Sequence, residues 1–165
     1  MKTSRELKIG HYGESIASIY LKNKGYSVLA RNVRVNEGEV RGEIDILVVK
    51  DRVLHVVEVK TACEIGLRDV IFVPESNLSK MKIRKLRKLR SVLMMRMSEG
   101  EPLLGGEISI KKSNPSISKV VITGIAVALY MNSNWRDCDV WDIGITNNLI
   151  KEHLQCIKVR VFHDL

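Results

Sequence analysis

The amino-acid sequence predicts a single α/β domain in which helices flank a mixed central sheet. Helical periodicity is found near the N-terminus and again after residue 76, and strand-like runs lie between and after these segments. Two of these runs are apolar on both faces apart from a few carboxylates, as expected of central strands that are covered on two sides. The predicted order of elements is α-β-β-β-α-β, with further elements towards the C-terminus.

The first predicted helix covers residues 10–24, where apolar side chains recur along one side. Gly25 follows the last periodic residue, and a glycine at that position commonly ends a helix in a left-handed conformation. Residues 26–35 are rich in β-branched side chains and are predicted to form the first strand. The polar segment 36–42 is predicted to be a turn.

Two further strands, residues 43–49 and 53–60, are predicted to form an antiparallel hairpin. Only Lys50, Asp51 and Arg52 separate them, and such short connections join antiparallel strands.

The second half of the chain is predicted to add one long helix and several strands. The predicted elements are a helix over 77–98, a loop over 100–118, a strand over 119–131, a candidate strand over 139–146, a short helix over 149–155 and a closing strand over 157–162. We find no internal repeat and no linker, so residues 1–165 are predicted to form one domain. Its motif-bearing core covers about residues 10–131, and residues 132–165 form C-terminal additions.

Composition favours a polyanionic partner. The chain has 27 Lys and Arg residues against 19 Asp and Glu residues, a formal net charge of +8. Its three cysteines are far apart and form no Cys-x-x-Cys pair, which argues against a disulfide framework or a thiolate zinc site. The chain has no apolar stretch near its start that could serve as a signal peptide, and no apolar run long enough to span a membrane. We therefore expect a cytoplasmic protein with no membrane partner.

A set of charged residues in the predicted hairpin carries the chemical signal. Side chains two residues apart in a strand point the same way, so Glu58 and Lys60 share one face and Glu43 and Asp45 share a face of the neighbouring strand. Carboxylates crowded together repel one another unless a cation neutralises them. The oxygen donors suit a hard ion, Mg²⁺ or Mn²⁺, and Lys60 could orient a water molecule or offset negative charge. The alternative is that Glu58 and Lys60 cap a strand end in water.

Glu14 lies at the edge of the apolar face of the first predicted helix. It could lean towards a metal site at the sheet edge. Its spacing alone favours an ordinary solvent-facing glutamate near a helix N-terminus, where a negative charge suits the helix dipole.

The second predicted helix contains a dense run of positive charge without an acidic residue. Such a run favours binding to backbone phosphates, with an affinity that falls with salt and carries no sequence preference. A solvated helix face is the alternative. The basic residues are Lys80, Lys82, Arg84, Lys85, Arg87, Lys88 and Arg90.

These features resemble the restriction-endonuclease-like (PD-(D/E)xK) superfamily, whose core order is α-β-β-β-α-β. The closer resemblance is to the YraN family of bacterial proteins, which is itself similar to archaeal Holliday-junction resolvases. The motif covers about the first third of the chain. It consists of Gly10-x-x-Gly13-Glu14-x-x-Ala17-x-x-Tyr20-Leu21-x-x-x-Gly25-Tyr26-x-x-Leu29-x-Arg31-Asn32-x-Arg34, then Gly42-Glu-Ile-Asp45 and Glu58-Val-Lys-Thr61.

By this resemblance Asp45 and Glu58 are metal ligands, Lys60 is the catalytic lysine and Glu14 is an auxiliary acidic residue. Glu43 is a weaker candidate ligand. Arg31 and Arg34, which lie in the motif, join the basic helix as candidate nucleic-acid contacts. The chain departs from the family pattern at Ala62, where arginine is common, and either 120–129 or 139–143 could supply the last core strand.

The sequence therefore predicts a Mg²⁺-dependent endonuclease that hydrolyses phosphodiester bonds in DNA, including branched or damaged structures. Since junction resolvases act as dimers, the resemblance also implies a homodimer. One alternative is a non-catalytic nucleic-acid-binding module that retains the nuclease fold. Another is an assembly partner whose basic helix meets an acidic protein.

Overall fold

In the part of the chain that the structure describes, five strands form one mixed sheet and two helices pack against it. The computed structural model describes residues 4–65, 79–100, 117–131, 157–163 and 165. The elements in chain order are α1 (Ser4–Asn23), β1 (Ser27–Glu37), β2 (Val40–Lys50), β3 (Val53–Ile65), α2 (Lys80–Glu99), β4 (Lys119–Met131) and β5 (Ile157–His163). This architecture confirms the predicted α/β fold class and the α-β-β-β-α-β order of its core.

The strands lie in the sheet in the order β1-β2-β3-β4-β5. Three of the four neighbouring pairs are antiparallel, and only β3 and β4 run parallel. A parallel pair needs a crossover connection, and α2 lies in the connection between β3 and β4. The sheet is therefore mixed, as predicted, with the long strand β3 at its centre.

The apolar residues of the central strands divide between two cores, one on each face of the sheet. In β3, Leu54 and Val56 pack in the core that contains α2, whereas Val57 and Val59 pack in the core that contains α1. The helices contribute Leu86, Leu89, Val92 and Leu93 of α2, and Ile16, Ala17 and Leu21 of α1. Burial on both faces is the physical reason for the apolar sequence of these strands.

The two hairpins of the sheet have two-residue turns. Asp51 and Arg52 connect β2 to β3 with φ values of 49° and 65°, the left-handed conformation that matches the twist of antiparallel strands. The polar turn predicted over 36–42 is wrong in extent, because β1 and β2 remain paired as far as Glu37 and Val40. Backbone pairing continues past the buried part of the hairpin, where polar side chains are solvated.

The helix boundaries also differ from the predicted ones. Helix α1 begins six residues before Gly10, through residues with good intrinsic helix propensity. Helix α2 begins at Lys80, because Ser79 caps it by accepting a hydrogen bond from the Lys82 amide at 3.2 Å. The closing strand is confirmed as β5, and β4 supplies the core strand parallel to β3. The elements predicted over 139–146 and 149–155 lie outside the described residues.

Candidate functional site

Strands β2 and β3 separate at the residues that carry the predicted site. Their pairing extends from Lys50 and Val53 to Ile46 and Val57. Beyond that point β2 continues beside β1, and β3 continues beside β4. Asp45 and Glu58 are the next residues of the two strands, so they face the opening between them.

The Asp45 side chain hydrogen-bonds to the backbone of β3 at the point where backbone pairing between β2 and β3 has ended. Its Oδ2 accepts a hydrogen bond from the amide of Val59 at 2.7 Å. Burial is the main cause that raises the pKa of Asp45 to about 7, and the charge of Glu58 is the second cause. The Val59 hydrogen bond and the charge of Lys82 oppose this shift. Asp45 is thus a partly buried carboxyl group for which ionisation is unfavourable unless further positive charge is supplied.

Glu58 is held between two lysines. Its side chain is 1% exposed, and its Oε1 lies 2.5 Å from Nζ of Lys60. Its Oε2 forms an ion pair at 2.7 Å with Nζ of Lys82, which comes from the first turn of α2, but this buried oxygen accepts no hydrogen bond from the described residues. A buried carboxylate requires such positive partners. Lys60 is positioned by the alternation of side chains along β3, whereas Lys82 reaches the site from a different element.

Glu14 approaches the same cluster from α1. Its Oε2 is buried and has no hydrogen-bond partner among the described residues, and Nδ1 of His11 lies 3.7 Å away. Burial is the main cause that raises the pKa of Glu14, while the charges of His11 and Arg31 lower it. The charge of Glu14 contributes in turn to the raised pKa of Asp45, so the two carboxyl groups interact.

A close contact between Gly13 and Thr61 determines how near α1 lies to β3. A Cβ atom added at Gly13 would come within 1.7 Å of Oγ1 and 2.6 Å of Cβ of Thr61. Only glycine permits this approach. Gly13 precedes Glu14 and Thr61 follows Lys60, so the contact joins the two elements directly beside their candidate site residues. Both residues belong to the sequence motif described above, but the motif does not show that they are in contact.

Three other candidate residues lie at the margin of the cluster. Glu43 is exposed, and its Oε2 lies 3.7 Å from Nε of Arg34. Arg31 is exposed, and its Nη2 donates a hydrogen bond to Oγ of Ser15 at 3.0 Å. Glu43 still influences the cluster, because its charge contributes to the raised pKa of Glu14.

The seven basic residues between Lys80 and Arg90 in α2 divide into two groups. Lys80, Arg84, Lys85, Arg87 and Lys88 are exposed, whereas Lys82 and Arg90 are partly buried. From the sequence, Lys82 is predicted only to bind phosphate, and its contact with Glu58 is not predicted. One signal was present: a lysine in the first helical turn, with no acidic residue there, opposes the helix dipole and calls for a nearby anion.

Asp45, Glu58 and Glu14 all offer carboxylate oxygens, which are the ligands that a hard cation such as Mg²⁺ prefers. Within the part of the chain that the structure describes, however, no three His, Cys, Asp or Glu side chains are arranged to hold a metal ion. At Glu58, the ammonium groups of Lys60 and Lys82 lie beside the two oxygens that a cation would use. In this arrangement the lysines provide the neutralising charge.

No helix in the described part of the chain combines the length and the apolar character required to cross a membrane.

The fold and the cluster together define a class: a mixed α/β protein with carboxylates and lysines gathered where two central strands separate. Residues 13–109, more than half of the chain, match the uncharacterised protein family UPF0102, and the chain belongs to that family. The match includes every member of the carboxylate–lysine cluster.

Curated relatives carry the same family designation. A UPF0102 protein of Campylobacter lari is 48% identical over 52 residues, which are 32% of this chain and 43% of the relative. One from Clostridium perfringens (strain ATCC 13124) is 42% identical over 53 residues, 32% of this chain and 40% of the relative. One from Helicobacter hepaticus is 35% identical over 79 residues, 48% of this chain and 62% of the relative. The chain thus spans roughly half the length of the relatives it matches.

Proposed function

We propose that this protein is a metal-dependent endonuclease of the restriction-endonuclease-like superfamily that hydrolyses phosphodiester bonds in DNA. The observation that carries the proposal is the convergence of Asp45, Glu58 and Lys60 where β2 and β3 separate. Two carboxylates and a lysine at such a point form a site for positioning and polarising a phosphodiester. The resemblance to Holliday-junction resolvases extends the proposed substrates to branched DNA.

Asp45 and Glu58 would hold the divalent ion, Mg²⁺ or Mn²⁺. The raised pKa of Asp45 and the repulsion from Glu58 are the features that a bound cation relieves. Glu14, with its unsatisfied buried oxygen, offers a further donor. When bound, such an ion polarises the phosphoryl group and lowers the pKa of a water molecule.

Lys60 would act on the substrate. Its side chain is 28% exposed, so the ammonium group can reach a phosphate while remaining beside Glu58. There it would stabilise the negative charge that develops on the phosphoryl oxygens. Asp45, fixed by the Val59 amide, keeps one oxygen in a constant position during binding.

The exposed basic residues of α2 would bind the DNA backbone. Lys80, Arg84, Lys85, Arg87 and Lys88 all lie on the helix that also sends Lys82 into the cluster. Phosphates held along this helix would therefore lie near the carboxylates. Contacts of this kind position a duplex without reading its bases.

Cleavage of duplex, flap and four-way-junction DNA in the presence of Mn²⁺ tests the proposal. We expect the wild type to cut at least one substrate and to be inactive in chelator. Asp45→Asn and Lys60→Ala should each reduce the rate by about 100-fold or more, because each removes charge stabilisation at the phosphoryl group. A wild type as inert as both variants on every substrate would refute the enzymatic proposal.

A second candidate function is a nucleic-acid-binding module that does not cut. The specific observation in its favour is that lysines contact both oxygens of Glu58, which leaves the carboxylate neutralised without a metal. Such a module should bind DNA equally well in Mn²⁺ and in chelator. The endonuclease should bind DNA more tightly when the metal is present, because Asp45 and Glu58 would hold a cation whose positive charge would attract the phosphate.

The role of the basic helix makes a separate prediction. The double variant Arg87→Ala/Lys88→Ala should weaken duplex binding, and its plot of log affinity against log salt should be shallower by about 1–2, because each lost phosphate contact removes about 0.9 from the slope. Fluorescence anisotropy over a salt series measures both quantities. The matched control is Lys22→Ala/Lys24→Ala, which removes the same charge from the exposed end of α1 and should leave the slope unchanged. An equal loss of slope in both double variants would mean that binding is diffuse.

A further inference from the structure

Lys82 occupies a position that neither the basic helix nor the carboxylate pair explains alone. It lies in the first turn of α2, yet its Nζ contacts the buried Oε2 of Glu58 at 2.7 Å. Positive charge at a helix N-terminus is disfavoured by the helix dipole. The charge of Glu58 compensates for that cost, so the lysine is held there by the site and not by the helix.

The two lysines of the cluster are connected to Glu58 in different ways. Lys60 is two residues from Glu58 in the same strand, and its distance from the carboxylate is limited by β3. Lys82 belongs to another element, and its side chain is 28% exposed, so it can rotate towards solvent without moving the backbone. Its own amide is fixed by Ser79, which keeps the helix start in place when the side chain leaves.

A cation can use Glu58 fully only after an ammonium group has left one of the two oxygens. Lys82 is the group that can leave. Phosphate bound by the exposed basic residues of α2 would attract its ammonium group away from Glu58. DNA phosphates drawn to Lys85, which lies three positions after Lys82 and therefore beside it on the helix surface, would bring negative charge close to the Lys82 ammonium group and attract it. The helix N-terminus adds to this attraction, since its free amides also favour phosphate.

We propose that Lys82 couples DNA binding to metal binding by holding Glu58 in the free protein and releasing it when phosphate arrives. Lys82 is then a positioning residue, because it acts through Glu58. The inference rests on the proposed function, since it assumes that Glu58 is a metal ligand. By thermodynamic linkage, the factor by which DNA raises metal affinity equals the factor by which metal raises DNA affinity.

Calorimetric titration with Mn²⁺ at pH 8, without nucleic acid, tests the first half of the proposal. Lys82→Ala should bind Mn²⁺ about threefold or more tightly than the wild type, because a competing cation a few ångströms from the site has been removed. Lys82→Arg keeps the cation and should stay within about twofold of the wild type. Lys22→Ala makes the same charge change on α1 and serves as the control. Circular dichroism and urea unfolding establish that each variant is folded.

Binding of a nuclease-resistant phosphorothioate duplex, in Mn²⁺ and in chelator, tests the coupling itself. The gain in DNA affinity on adding Mn²⁺ should be about threefold larger for the wild type and Lys82→Arg than for Lys82→Ala. A merely structural role for Lys82 would not change this ratio.

The outcomes separate this inference from the proposed function. If the wild type binds Mn²⁺ but Lys82→Ala binds it no more tightly, or shows the same gain in DNA affinity, the coupling is refuted and the metal site remains. If neither the wild type nor any variant binds Mn²⁺, the proposed metal site fails and the coupling fails with it.

Discussion

Replacing Asp45 with asparagine is expected to abolish DNA cleavage and, at pH 8, to stabilise the metal-free fold. The ionised carboxylate is buried close to Glu58, and these two causes raise its pKa to about 7 from an ordinary value of 3.8. Asparagine is neutral and can still accept the Val59 hydrogen bond through its side-chain oxygen. The substitution therefore removes an unfavourable charge and keeps the favourable contact.

The direction of the pH dependence follows from this shift. Below about pH 4 the carboxyl group is protonated in both the folded and the unfolded chain, and it contributes no difference. As the pH rises from about 4 to about 7, the unfolded chain ionises first, so the wild type loses stability. Above pH 7 the loss is complete. A rise of about 3 pKa units, at about 1.4 kcal/mol per unit, should make Asp45→Asn more stable than the wild type by on the order of 4 kcal/mol.

Urea unfolding in chelator at pH 4.5, 6 and 8 measures this difference. The exposed turn substitution Glu39→Gln makes the same chemical change away from the cluster, and it should show no growing difference with pH. Saturating Mn²⁺ should stabilise the wild type and leave Asp45→Asn nearly unchanged, because ligand binding to the native state is what raises its stability. An Asp45→Asn variant that is less stable than the wild type at pH 8 would contradict the burial argument.

Replacing Gly13 with alanine should cause the largest loss of stability of any single methyl group added to α1. The new Cβ would lie 1.7 Å from Oγ1 and 2.6 Å from Cβ of Thr61. Rotation of Thr61 cannot relieve the second overlap, because a Cβ position is set by the backbone. The helix must therefore move away from β3, at a cost of about 3 kcal/mol or more. Glu14 would move with it, so metal affinity should also fall.

Gly10→Ala is the matched control, since it makes the same substitution in the same helix at a position with nothing within 4 Å of the added atom. It should leave stability unchanged or raise it by up to about 1 kcal/mol through helix propensity. Combining Thr61→Gly with Gly13→Ala removes all three Thr61 side-chain atoms that overlap with the added Cβ, so the double variant should recover part of the loss. Chemical unfolding of the three variants decides the matter. Equal stability of Gly13→Ala and Gly10→Ala would show that the helix has room to shift.

The predicted elements agree with the observed ones where the deciding interaction is local. The short connection at Asp51 and Arg52 predicted the antiparallel hairpin, and its left-handed residues are observed there. The predicted turn over 36–42 is wrong in extent because side-chain polarity marks exposure to solvent and not the end of backbone pairing. Helix α1 is longer than predicted for a similar reason: its first residues contribute little to the apolar periodicity on which the prediction relied.

Local sequence was enough to predict that Glu58 and Lys60 lie on the same face of β3, because the alternation of side chains in a strand is a property of the backbone. The proximity of Asp45 followed from one short turn. Tertiary packing alone decided that β2 and β3 separate at these residues, that one Glu14 oxygen is buried with its charge acting on Asp45, and that Lys82 reaches Glu58. Periodicity gives the direction of a side chain within its own element. The distance between elements depends on how their surfaces fit, as at Gly13 and Thr61, and no single stretch of sequence contains that information.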